Sequence, residues 1–82
     1  MTSGSKQART KRAKTTENEW GGVDYHGKVG MVRTAKDDGM VTVLYFTGNE
    51  LLQWQASFSS ATPTAIVDSV VREAQRLADG RQ

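Results

Sequence analysis

The chain has 82 residues, 37% of them apolar, with no cysteine and a single histidine. This is room for one small domain with an appendage, and it excludes disulfides, thiolate metal sites, thiol nucleophiles and multi-histidine metal cages. The formal charge of +2 joins two opposed parts: the first fourteen residues carry five basic side chains and no acidic one, whereas residues 15–82 carry six basic and nine acidic.

From Met1 to Glu19 the only apolar side chains are Met1, Ala8 and Ala13. Such a segment cannot bury enough apolar surface to offset the entropy of ordering it, which predicts a disordered basic arm over residues 1–19. Its cations, Lys6, Arg9, Lys11, Arg12 and Lys14, are the candidate nucleic-acid-binding residues, because clustered Lys and Arg neutralise phosphates and release counterions without reading sequence. The competing readings are an inert solubilising tail and attraction to an acidic protein. A membrane surface is disfavoured, since no apolar face accompanies the charge.

A single folded domain is expected over residues 20–82. Val29, Met31 and Val32 lie in a first strand-like run, interrupted by Gly30 and ending near Ala35. Lys36-Asp37-Asp38-Gly39 is a hairpin signal, because Asp and Gly tolerate the positive φ of tight turns. Met40 to Thr47 follows, rich in β-branched and aromatic residues, and reads as the central strand. After a Gly48-Asn49 turn, Leu52, Trp54, Ala56 and Phe58 alternate with Gln53, Gln55 and Ser57, the period of a half-buried strand. A short extra strand around Val23–His26 is an open option.

The last segment reads as a helix with Thr62 as N-cap, Pro63 at the first helical position and Gly80 as the stop. Ile66, Val67, Val70, Val71, Ala74, Leu77 and Ala78 share an arc of roughly 140° at 100° per residue. That stripe suits the Leu52/Trp54/Ala56/Phe58 face. The fold class expected is therefore α+β: a three-stranded antiparallel meander followed by one C-terminal helix packed on one sheet face. The central strand is apolar on both sides, with Met40, Leu44 and Phe46 opposed to Val41, Val43 and Tyr45. One helix covers one side, so Val41, Val43 and Tyr45 are assigned to a dimer or partner face; cover from Trp20 and Tyr25, or a barrel closure, would answer the same need.

Trp54, Ala56, Phe58, Ser59, Thr62, Pro63 and the Ile66-Val67 pair resemble the strand-to-helix end of an actinobacterial domain of unknown function, found also in mobile elements. The resemblance spans Trp54–Val71, about a third of the chain. It implies a strand-then-helix fold and an origin in a phage, plasmid or actinobacterial host, and it transfers no functional residue.

Elsewhere the residues point away from catalysis. His26, beside Asp24 and near Lys28, has no partner nucleophile or phosphate loop, and Gly27-Lys28-Val29-Gly30 lacks the spacing of a Walker motif. Asp37 and Asp38 read as turn formers, and no metal or cofactor is called for. Tyr25, Lys28, Arg33 and Tyr45 form a secondary candidate set, with rings to stack on bases and cations to follow a backbone. No run approaches the ~20 apolar residues of a membrane span, and no apolar segment follows the basic amino terminus as a secretory signal requires. The expectation is a cytoplasmic, non-enzymatic protein that associates with nucleic acid, or alternatively a protein-interaction module using its apolar sheet face, with a homodimer as one way of covering that face.

Overall fold

The computed structural model describes residues 14–80. In chain order its elements are β1 (Thr15–Glu17), β2 (Val23–His26), β3 (Gly30–Asp37), β4 (Met40–Thr47), β5 (Leu52–Phe58) and α1 (Thr64–Ala78). The strands form one antiparallel sheet in the order β1-β2-β3-β4-β5, so each connects to its spatial neighbour. The α+β architecture and the meander agree with the sequence, but the sheet has five strands rather than three. The two additional strands are β1 and β2.

Physical reasons for the difference are visible at β1. Its three residues are all exposed, and it joins the sheet through its backbone, with Thr15, Thr16 and Glu17 opposite Tyr25, Asp24 and Val23. A strand held by main-chain bonds at an edge needs no apolar alternation, so the period-2 signal is absent. It lies inside the 1–19 segment assigned to the arm. The part of the arm over residues 1–13 lies outside the described residues.

The expected hairpin forms where Asp37 pairs with Met40, and Asp38 and Gly39 take φ of 55° and 86°. Two consecutive left-handed residues match the twist of the flanking strands. The β3–β4 register sets Val32 opposite Tyr45 and Thr34 opposite Val43. The β4–β5 register then sets Tyr45 opposite Trp54 and Val43 opposite Ala56. Side chains opposite one another share a face, so Val41, Val43 and Tyr45 lie on the same face as Trp54, Ala56 and Phe58. This is the face that α1 covers.

The assignment of Val41, Val43 and Tyr45 to a dimer or partner face is thereby corrected. Val43 and Tyr45 are buried with Val32, Ala74 and Ala78, and Tyr25, Trp54, Phe58, Val70 and Val71 pack around them. The helix lies across β3 and β4 rather than above β5. Ala74 and Ala78 are its two buried residues, and their small side chains let its axis approach the central strands closely.

Both helix ends are fixed by backbone contacts. Pro63, with ψ of 136°, is the N-cap in place of Thr62, and its carbonyl accepts from the Ile66 and Val67 amides. The Thr62 hydroxyl is turned toward Ser59 instead, 3.4 Å away. At the other end the Val29 amide donates to the Ala78 carbonyl at 2.7 Å. Gly27 makes this approach feasible, since a Cβ there would strike the Ala78 backbone. Gly80, at φ 80°, ends the helix as expected.

Candidate functional site

Among the described residues, one face of the sheet carries no helix. Asp24, Met31, Arg33, Leu44 and Phe46 lie on it, and the β1–β2 loop brings Trp20 over it. Asn18 shapes that loop: its side-chain amide donates to Asp24 Oδ1 and to the Thr34 carbonyl, both at 2.9 Å. Its carbonyl oxygen accepts from the Trp20 and Gly22 amides. The Trp20 carbonyl in turn accepts from the Lys36 amide at 2.8 Å. A single Asn thus ties the loop to both β2 and β3.

Arg33 is the centre of this face. Its Nε and Nη2 donate to the two carboxylate oxygens of Asp24 at 2.9 and 3.0 Å, a fork-to-fork pair that fixes the guanidinium plane. The cation lies 4.4 Å from the Trp20 ring centroid and 5.3 Å from that of Phe46, within range of favourable cation–π contact. The Asp24 carboxyl is held below its usual range chiefly by the Arg33 hydrogen bond, and also by Asn18, against the opposing effect of burial. Arg33 is pushed up by the same bond from Asp24. Its charge is thus matched within the chain, which weakens its case as a phosphate ligand. Met31, Leu44 and Phe46 add apolar surface to the face and Thr42, Gln55 and Ser57 polar surface, while Trp20 and Met40 are each 47% exposed.

The secondary candidates do not form a stacking platform. Tyr45 is only 9% exposed and stacks on Trp54, with centroids 5.6 Å apart and planes 5° from parallel. Tyr25 lies on the helix side as well, its hydroxyl donating to Asp79 Oδ2 at 2.6 Å. Arg33, one position past Val32, points to the other face, and Lys28 is exposed in the β2–β3 turn. Alternation along a strand separates what proximity in sequence had grouped.

Of the arm cations, Lys6, Arg9, Lys11 and Arg12 lie outside the described residues. Lys14 is exposed where the sheet begins, and its carbonyl accepts from the His26 amide at 2.6 Å. Its ammonium lies 3.4 Å from Asp79 Oδ1 and 5.3 Å from the Tyr25 ring centroid. The Lys14 pKa is raised, first by the Tyr25 hydroxyl and then by Asp79. The root of the arm is therefore fastened to the C-terminal end of α1. His26 Nε2 is 3.3 Å from Thr16 Oγ1, a local contact between neighbouring strands.

Sequence reasoning offered Trp20 as one possible cover for the sheet but missed Asn18 and the Asp24–Arg33 fork. The partner of a lone Arg is set by strand register.

No family model, curated protein or solved structure matches this chain. No helix among the described residues is long and apolar enough to cross a membrane.

Proposed function

We propose that this is a small non-enzymatic protein that associates with nucleic acid through its basic arm, without strong sequence preference. The observation that carries this reading is the segregation of charge: five cations and no acid in the first fourteen residues, against a net −3 in the remainder. Two of the body's cations are matched by acids, Arg33 by Asp24 and Arg76 by Glu73. The arm carries the denser run of positive charge, and its root at Lys14 is anchored at a sheet edge. The resemblance of Trp54–Val71 supports an origin in a phage, plasmid or actinobacterial host.

The test is binding of the full chain to duplex and single-stranded oligonucleotides across a salt series. If all five cations contact duplex DNA, log affinity should fall against log salt with a slope of about −4 to −5. Replacing Lys6, Arg9, Lys11 and Arg12 by Gln should bring that slope to about −1 and weaken binding to every sequence alike. Unchanged affinity in the substituted chain would defeat the reading.

A second reading, a protein-interaction module, draws on the open face with its half-exposed Trp20 and Met40. A partner bound there should survive nuclease treatment and be lost from a Trp20→Ser/Met40→Ser variant.

A further inference from the structure

The two edges of the sheet differ. β1 is three residues long and polar, the short exposed edge that resists further pairing. β5 is seven residues long, Leu52–Phe58, and contains neither charge nor proline. The whole stretch from Leu51 to Val67 carries no charged side chain. The β4–β5 register shifts between Tyr45 and Phe46, which affects only the Leu52 end; from Trp54 onward β5 stays in step with β4. Natural sheets protect free edges with Lys, Pro, bulges or brevity, and the Trp54–Phe58 stretch has none of these.

An apolar strip runs beside this edge, which no other strand pairs with among the described residues. On α1, Ile66, Val70 and Leu77 fall within roughly 40° of one another at 100° per residue. Ile66 is 52% and Leu77 40% exposed. Val67 and Val71 are turned the other way, lining a cleft with Val23, Thr34 and Lys36 of β2 and β3. The Ile66–Leu77 flank is therefore turned toward the β5 side of the sheet.

We propose that β5 pairs antiparallel with β5 of a second copy, joining two sheets into one of ten strands. Residues directly opposite in an antiparallel pair share a face. A two-fold axis normal to the sheet at Ala56 therefore sets Ala56 opposite its own copy and Trp54 opposite Phe58 of the second copy, all on the helix side. On the open side Gln55 faces Ser57 of the second copy. Both helices then stand on one face, with their Ile66–Leu77 flanks turned toward the seam. Every residue of β5 is neutral, so the pairing sets no like charge against itself, a clash that a charged edge would meet in an isologous contact. A strongly charged peptide would find no countercharge on this strand. Among the described residues a core of five buried apolar side chains is also small enough to gain from a second subunit.

The test uses the full chain, freed of nucleic acid by nuclease, in light scattering over a concentration series. A dimer is expected. The Gln55→Lys/Ser57→Lys variant should raise the dimer dissociation constant by roughly fivefold or more, and Gln55→Glu/Ser57→Glu should do likewise. An equimolar mixture of the two should recover dimer, because with the pairing centred at Ala56 position 55 of one copy faces position 57 of the other and Lys is set opposite Glu. A monomer at all concentrations, a lysine variant that dimerises as tightly as the natural chain, or a mixture that stays monomeric would each overturn the proposal. Hydrogen exchange on the unaltered chain avoids any folding defect of the variants: amides over Trp54–Phe58 should slow as concentration rises while those of β1 do not. Equal exchange at every concentration would also overturn it.

Discussion

Asp24 is the most consequential single side chain of the open face. It is almost fully buried, accepts two hydrogen bonds from Arg33 and one from Asn18, and its pKa lies below the usual carboxylate value. A depressed folded pKa means that the folded state favours the charged form. Stability from this group is present above its unfolded value, about 3.9, and is lost as pH falls through the lower folded value. Asp24→Asn should therefore cost about 1–2 kcal/mol at pH 7, in line with hydrogen bonds to charged groups. It should also flatten the loss of stability below pH 4 relative to the natural chain. Denaturant melts at pH 7 and pH 3 measure both effects, and an equal acid loss in the variant would contradict them. Arg33→Met should cost more at pH 7, because it leaves the buried carboxylate without its cation.

The elements show where sequence was informative and where it was not. The α1 stripe, the Asp38-Gly39 hairpin and the β5 alternation from Trp54 onward were legible because each is a local pattern with a fixed period or a demanded φ, whereas Leu52, expected on the Trp54 face, falls opposite Phe46 across the register shift. β1 was not, since Thr15-Thr16-Glu17 contributes backbone and no apolar side chain. The covered face was misassigned for a different reason. Val41, Val43 and Tyr45 belong with Trp54 and Phe58 only once the β4–β5 register is known, and register is a tertiary property. Gly27 was legible as punctuation but not as a contact: its role is to let the β2–β3 turn donate through Val29 to the end of α1. Gly27→Ala would force a methyl group into the Ala78 backbone. The expected cost of such overpacking is about 1–3 kcal/mol. In a domain of this size each kcal/mol lowers the melting temperature by about 4–8 °C. A thermal melt checks it, and an unchanged midpoint would mean that the helix end is free to move away.

At the scale of the whole molecule, charge and apolar surface suggest two kinds of self-association that salt can separate. Lys6, Arg9, Lys11 and Arg12 account for four of the positive charges, so replacing them by Gln turns the net +2 of the chain into −2. In the natural chain a basic arm and an acidic body carry opposite signs, and copies should attract one another at low ionic strength. Exposed charges are screened beyond about 8 Å at 0.15 M salt and about 3 Å at 1 M. Arm-to-body association should therefore be strong at low salt and vanish as salt is raised. Pairing along β5 involves backbone groups and neutral side chains, so it should persist or strengthen, as apolar burial does in excluded salts such as sulfate. Light scattering of the natural and Gln-substituted chains over a salt series distinguishes the two. Both should retain the dimer mass at high salt, and only the natural chain should form larger species at low salt. The same substitution should move the protein from a cation exchanger to an anion exchanger at neutral pH. If the substituted chain still associates beyond the dimer at low salt, the arm is not the source of that attraction, and the open face carrying Trp20 and Met40 becomes the surface to substitute next.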